Sequence, residues 1–297
     1  MTTGAATLRR LAPTGADALD AVVGALWAEA DGTGTTGLVA AVAAATGELL
    51  GVEPLTVPDG IEAPRWDGDE SAVLAFAAQC CLDVASVTPE LRADFLAATG
   101  PLAGGVAAAS WVVDLVPRTR AALDALFGPG PWPAARVEPA PGGLWGALDG
   151  LVRVVPALDA LDPVTSELVR LRGARQHNCR LCRSLRSRTA LRAGATESDF
   201  DAVDTYADSP LSPLARASLA LCDAMLWTPG RIGPDVVAAL RSEARPAQQV
   251  ELVLDVTRNA LNKVAVALGA DAAHVDDGIE VYDVEPDGSL VYGLSAD

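Results

Sequence analysis

Apolar residues along the chain recur with the spacing of amphipathic helices, in long Ala/Leu/Val/Arg stretches that end at glycine or proline. Six segments are predicted helices on this pattern: Ser71–Ala85, Leu102–Leu126, Ser166–Gln176, Arg180–Ala193, Leu214–Leu226 and Pro246–Leu268. Strand signals are scarce. Alternation with period two is clear only near the end, where IEVYDVEPDGSLVYG pivots on Pro286-Asp287-Gly288 and predicts a short β-hairpin. Two stretches interrupt the helical pattern. Glu53–Glu70 is rich in Pro, Asp and Gly, and Gly128–Gly146 holds five prolines and reads as an inter-domain linker.

The apolar pattern also repeats. With no gap and a displacement of 145 residues, LAFAAQCCLDVASVTPELRADFLAATGP from Leu74 falls on LALCDAMLWTPGRIGPDVVAALRSEARP from Leu219. Pro89 meets Pro234 and Pro101 meets Pro246, while Val87/Ile232, Leu91/Val236 and Phe95/Leu240 keep the apolar face. A duplicated all-α unit is therefore expected, with a helical repeat over 1–127, a linker over 128–146, a second repeat over 147–272 and a tail over 273–297.

Charge narrows the partners. Against 39 acids stand 22 bases, a net charge of −17, which repels nucleic-acid phosphates and an anionic membrane surface. No apolar run is read as reaching the roughly 18–20 residues of a membrane span, since the closest, Leu38–Val52, is broken by Gly47-Glu48. Met1–Arg10 carries no basic-then-apolar signal pattern, so a cytoplasmic location is expected. Five cysteines, an odd number in a chain of 297 residues, do not make a secreted disulfide scaffold. In a reducing compartment, cysteines that are paired point to redox or metal chemistry.

One segment carries such a pair: SELVRLRGARQHNCRLCRSLRSRTALRAG, Ser166–Gly194. Cys179 and Cys182 form a C-x-x-C, with Asn178 placed to cap the helix after it. A thiol in a first helical turn is stabilised as thiolate by the helix dipole. Eight arginines lie between Arg170 and Arg192 with no acid among them, which would lower the thiol pKa further. Redox use is the favoured reading, over structural thiols and over zinc. Zinc needs four ligands, and only His177 is near. Cys80, Cys81 and Cys222 read as small buried hydrophobes, and Trp27, Trp111, Trp145 and Trp227 as core or interface anchors. No phosphate loop, metal cluster or Ser/His/Asp arrangement is found, so no cofactor or metal is expected.

Glu167, eleven residues, then Cys179-x-x-Cys182 on a helix–turn–helix ending in RAG resembles the alkylhydroperoxidase AhpD / carboxymuconolactone decarboxylase superfamily, as does the following GATESDFDAV. The resemblance covers roughly residues 158–269 and implies an all-α fold that assembles into homo-oligomers. It implies Glu167 as proton relay, Cys182 as the attacking thiol and Cys179 as the resolving one. The substrate would be a small peroxide or disulfide, with a separate thiol reductant to recycle the pair. Arg186 stands where the AhpD branch has a histidine, and Leu181 where some members have another. A guanidinium cannot carry protons near neutral pH, so peroxide turnover would be slow unless His177 takes the role. In the first repeat Val22, Gly34 and Gly37 occupy the places of Glu167, Cys179 and Cys182, implying one thiol site per chain. Two other functions remain open on the same fold. One is acid–base catalysis of the lactone decarboxylase kind, which works without the cysteines, and the other is non-catalytic binding or assembly.

Overall fold

A computed structural model describes residues 3–296 and shows helices over most of the chain, with one small sheet. Helices α1 Gly4–Leu11, α2 Pro13–Thr33 and α3 Thr36–Leu50 precede the first predicted break, and α4 Glu70–Asp83, α5 Pro89–Thr99 and α6 Ala103–Phe127 follow it. After an irregular stretch come α7 Gly143–Val154, α8 Pro163–Gln176 and the short α9 Arg180–Ser184, α10 Arg188–Arg192 and α11 Glu197–Asp201. Helices α12 Pro213–Trp227, α13 Pro234–Glu243, α14 Pro246–Asn259 and α15 Asn262–Leu268 complete the helical part. Proline at the first helical position starts many of them, because its fixed φ suits the helix and its missing N–H is not needed there. Side-chain caps reinforce three of these starts. Thr88 caps α5, Asp162 caps α8 and Ser212 caps α12.

Two predicted helices break. Pro246–Leu268 divides at Ala260-Leu261 into α14 and α15. Arg180–Ala193 is interrupted by an extended strand, β1 Leu185–Ser187. The hairpin foreseen at the C-terminus is present as β2 Glu280–Val284 and β3 Leu290–Leu294, antiparallel with Val284 opposite Leu290. It supplies the reason for the break. β2 pairs in parallel with β1, Leu185 opposite Glu280 and Ser187 opposite Tyr282, so the sheet has three strands in the order β1-β2-β3. Ser187 then caps α10 through its hydroxyl, which accepts from Ala190 N at 3.2 Å.

Element order recurs along the chain. α4, a 3-10 turn at Val84–Ser86, α5 and α6 are followed later by α12, a 3-10 turn at Pro229–Arg231, α13 and the α14/α15 pair, at the displacement read from the sequence. The two series also reach across to each other. Arg92 of α5 donates to Ala267 O (2.7 Å) at the end of α15, and Arg241 of α13 donates to Leu126 O (3.0 Å) at the end of α6. Apolar side chains from Leu8 to Ala267 form one contiguous core that spans both halves. The proline-rich stretch 128–142 therefore does not separate two cores. It lies along α2, so closely that a Cβ on Gly24 would stand 2.3 Å from Arg136 O, and α7 begins inside the predicted linker, at Gly143.

At the centre of this core lies an ionic cluster. Asp114 of α6 accepts from Arg118 Nε at 2.6 Å and from the Lys263 ammonium of α15. Arg118 is 1% exposed and donates to Cys81 O (2.8 Å), Met225 O (3.0 Å) and Leu226 O (2.6 Å), binding α4, α6 and α12 together. Burial by itself would raise the Asp114 carboxyl, but Arg118 and Lys263 outweigh it and hold the group below the ordinary carboxylate value. Nearby, the hydroxyls of Thr119 and Thr257 meet at 2.6 Å between α6 and α14. The stretch Pro89–Phe127 corrects one sequence expectation. Among the described residues it is the one helical run, 39 residues long, that contains a stretch long and apolar enough by composition to cross a bilayer. Half of its most apolar window is buried within the protein, and it carries Asp114 and Arg118 in the interior.

Asp114→Asn leaves two buried cations without their counter-charge. It is expected to lower the unfolding free energy by about 3–5 kcal/mol, read as a reduced urea midpoint, whereas an unchanged midpoint would mean the cluster is not a structural anchor.

Candidate functional site

Helix α8 ends at Gln176, and Asn178 follows in the left-handed region at φ 52. Asparagine tolerates that conformation better than most residues, and the reversal it makes turns the chain into α9. Asn178 was expected to cap this helix, but Cys179 does so, its Sγ accepting from Cys182 N at 3.2 Å. Cys179 and Cys182 are joined as a disulfide with Cα atoms 5.3 Å apart. Cys179 is 1% exposed, whereas Cys182 is half-buried, so only the second sulfur is open to a reactant.

Two supports expected for a thiolate are weaker than the sequence implied. α9 has five residues, too few peptide units for a strong dipole at its start. The arginine-rich segment is also neutralised by acids from distant parts of the chain. Arg172 pairs with Asp223 at 2.7 Å, Arg175 with Asp204 at 2.6 Å, Arg180 with Asp271 at 2.7 Å and Arg188 with Asp283 at 2.9 Å. None of those four carboxylates lies within the segment itself.

Another residue stands at the sulfur. Asn262, the first residue of α15, donates from Nδ2 to Cys182 Sγ at 3.5 Å, and its Oδ1 accepts from His177 Nδ1 at 2.7 Å. His177 is 6% exposed, and burial together with the positive charge of Lys263 pushes its pKa down to about 3. It is therefore neutral at physiological pH. With Nδ1–H given to Asn262, it orients the amide and has no proton to donate to a leaving group.

Glu167 is placed differently from the relay implied by the resemblance. It is 3% exposed, and both oxygens are occupied: Oε1 accepts from Arg170 Nη2 (2.7 Å) and Ser187 N (3.0 Å), and Oε2 from Arg170 Nε (2.6 Å) and Tyr282 OH (3.0 Å). Arg170 continues to Cys182 O (2.8 Å) and Leu185 O (2.9 Å). Glu167 thus reaches the cysteine loop through a guanidinium and a backbone carbonyl, and none of its described hydrogen bonds goes to a sulfur. Arg186 also points elsewhere. It donates to Arg183 O (3.1 Å), Leu185 O (2.9 Å) and Glu197 Oε2 (3.2 Å), and lies over the Phe200 ring at 4.8 Å. Of the five residues singled out, the structure brings Cys179, Cys182 and His177 together, with Asn262 between them, and holds Glu167 and Arg186 in neighbouring networks.

Glu167, Arg170 and Tyr282 line a cavity of about 340 Å³ that also contains Glu251, Asp255 and Arg258. Burial and the like charge of Glu251 one turn away push Asp255 up to about 7. The signal for this pair was available as two acids four residues apart within the apolar stretch Val250–Val256. For the remaining thiols burial disfavours the thiolate, pushing both Cys80 and Cys81 up to about 12 and Cys222 upward as well. Trp27 and Trp111 are core residues as expected, while Trp145 and Trp227 are exposed. Among the described residues no group of His, Cys, Asp and Glu could hold a metal ion.

The class these features define is a helical protein with a C-x-x-C loop clamped by buried ion pairs. The chain is 41% identical over 235 residues to the uncharacterized protein Rv2313c of Mycobacterium tuberculosis strain H37Rv, with 75% of this chain and 81% of the relative aligned. The uncharacterized protein MT2376 of strain CDC 1551 is similar to the same degree. The chain belongs to the family of these mycobacterial proteins. No protein-family profile and no solved structure matches it.

The His177 environment has a pH signature. Its folded pKa near 3 lies below the unfolded value of about 6.5, so its contribution to stability is complete above pH ~6.5 and is lost as pH falls, because only the unfolded chain takes up the proton. The raised pKa of Asp255 acts in the opposite sense, its neutral form being favoured until pH nears 7, so the two are separated by a variant. The stability difference between the natural protein and His177→Gln should shrink by about 2 kcal/mol between pH 7.5 and 5. A difference that stays constant in urea titrations across that range would show that His177 protonates freely in the fold.

Proposed function

We propose that this protein is a thiol-dependent oxidoreductase of the AhpD-like kind whose cysteine pair exchanges electrons with a disulfide more readily than with a peroxide. The observation that carries this reading is the closed Cys179–Cys182 pair with one buried and one accessible sulfur and an amide donor held on the accessible one. In the reduced form the Cys182 thiolate, stabilised by Asn262 Nδ2–H, attacks one sulfur of the substrate disulfide and releases the first thiol. Cys179 then attacks Cys182 Sγ in the mixed disulfide and releases the second. Two electrons pass to the substrate, and the two protons of the cysteine thiols end on the two thiols released. A thiol reductant in a reducing cytoplasm reverses the steps and reopens the pair.

Peroxide reduction makes a further demand. The departing alkoxide or hydroxide needs a proton, and the groups near Cys182 are poor sources of one. Glu167 is locked to Arg170 as an ion pair, and His177 is held neutral as a donor to Asn262. A thiolate leaving group needs no such help. This preference within the pair of substrates favours disulfides.

The same reading treats the two helix series as a duplicated unit, supported by the shared element order and the reciprocal Arg92 and Arg241 contacts. The first copy is then scaffold. A Cβ on Gly37 would stand 1.9 Å from Pro64 O, so the 53–69 loop fills the place that Cys182 has in the second copy. A second reading, acid–base catalysis, is favoured by Asp255, a carboxyl that titrates near neutrality in a polar cavity beside Glu167 and Tyr282.

Reduced protein treated with hydroxyethyl disulfide, and separately with cumene hydroperoxide, tests both readings by thiol counting and mass spectrometry of the Cys179–Cys182 peptide. Disulfide should close the pair faster than peroxide, Cys182→Ser should abolish closure, and Asn262→Ala should slow it about tenfold, the worth of one hydrogen bond to a charged sulfur. Faster oxidation by the hydroperoxide would overturn the disulfide preference, and equal rates in Asn262→Ala would overturn the role of Asn262 as the thiolate's donor. An activity that survives Cys182→Ser and is lost in Asp255→Asn would establish the acid–base reading instead.

A further inference from the structure

Away from the cysteine loop, α2, α6, the proline-rich stretch after Phe127 and the turn Pro229–Arg231 enclose a cavity of about 660 Å³. That volume is in the range of small-molecule sites. None of its lining residues belongs to the C-x-x-C segment. Its lining includes Trp27, Trp132 and several prolines. Trp132 is held in place by its indole N–H, which donates to Asp124 Oδ2 at 3.0 Å.

Arg120 lines this cavity and differs from the other enclosed arginines. Arg118, Arg170, Arg172 and Arg186 each meet a carboxylate within ion-pair distance. Among the described residues Arg120 has no hydrogen bond and no ion pair, and its guanidinium rests on the Trp132 face, 5.3 Å from the ring centre. Burial pushes its pKa below the ordinary value, and the charges of Asp20 and Asp124 only partly offset this. A cation withdrawn from water without a counter-ion is costly, and in a chain of net charge −17 carboxylates to pair with it are abundant. Arg231, exposed at the rim, adds a second positive charge to the same opening, and Glu53 and Asp124 of the lining balance the two cations until a ligand carboxylate engages Arg120.

We propose that this cavity is a binding site for an anionic small molecule with a flat apolar body, an aromatic carboxylate in its simplest form. The carboxylate takes the place of the missing partner on Arg120, in the two-pronged geometry that guanidinium favours. The ring lies against Trp132 and the proline walls. This site does not depend on the cysteine chemistry, and it gives the proline-rich stretch a role as the wall of a pocket.

Calorimetric titration of the full chain with 2-naphthoate, and with the neutral 2-naphthalenemethanol as its counterpart, tests the proposal. Saturable binding of naphthoate to one site is expected, weakened at least tenfold by Arg120→Met, with the neutral compound unaffected by that change. Arg120→Met should keep or raise Tm, because it removes a half-buried cation that has no ion pair, so loss of binding is not loss of fold. Trp132→Leu should weaken both compounds, and Cys182→Ser should weaken neither. No saturable binding of naphthoate up to about 1 mM, or equal affinity in Arg120→Met, would overturn the assignment.

Discussion

Asp114 lies where α6 meets α15, and the fold depends on how its charge is answered. One carboxylate cannot be buried at the centre of a core unless cations come with it, and here two do, from α6 itself and from the far end of the chain. Arg118 then spends its remaining N–H groups on carbonyls of α4 and α12. The geometry of four helices is thereby set by donors and acceptors with fixed directions, where apolar packing alone would allow sliding. Lys263 is the neighbour of Asn262, so the residue that touches Cys182 is positioned by the same cluster. The positive charge of Lys263 is also one of the causes that keep His177 neutral. Stability at the centre and the surroundings of the cysteine pair are consequently linked through two adjacent residues of α15.

A similar economy holds around Glu167. Arg170 binds both of its oxygens and then reaches two carbonyls of the loop that carries Cys182. Tyr282 and the Ser187 amide complete the carboxylate from the sheet side. The C-terminal strands are thus part of the same framework, because β2 both pairs with β1 and brings Tyr282 to Glu167. The loop holding the disulfide is fixed from three directions, by α8, by α15 and by the sheet.

Much of this was legible in the sequence where the signal is local. The spacing of apolar residues, with glycine or proline ending each stretch, placed most of the long helices, and alternation around Pro286-Asp287-Gly288 placed the hairpin. The break at Leu185–Ser187 was not legible, because an Arg/Ser/Leu sequence with good helix propensity is extended there only through a partner strand some 95 residues away. Asn262 was hidden for the same reason, since nothing near it in the chain marks it as a neighbour of Cys182. The arginine-rich segment misled in a different way. Counting charges along the chain shows an excess of cations, whereas counting them in space finds Asp204, Asp223, Asp271 and Asp283 beside them. Charge patterns predict solvation well and local fields poorly, because the field depends on who folds next to whom.

The exchanged arginine contacts of α5 and α13 have a consequence for how the chain holds together. Each half places a guanidinium on the open carbonyl end of a helix belonging to the other half, and the apolar core runs through both without a seam. The peptide connecting them along 128–142 therefore contributes tethering more than cohesion. A protease that nicked this irregular stretch would leave two fragments that stay clasped as a non-covalent pair, and neither fragment alone would be a complete domain.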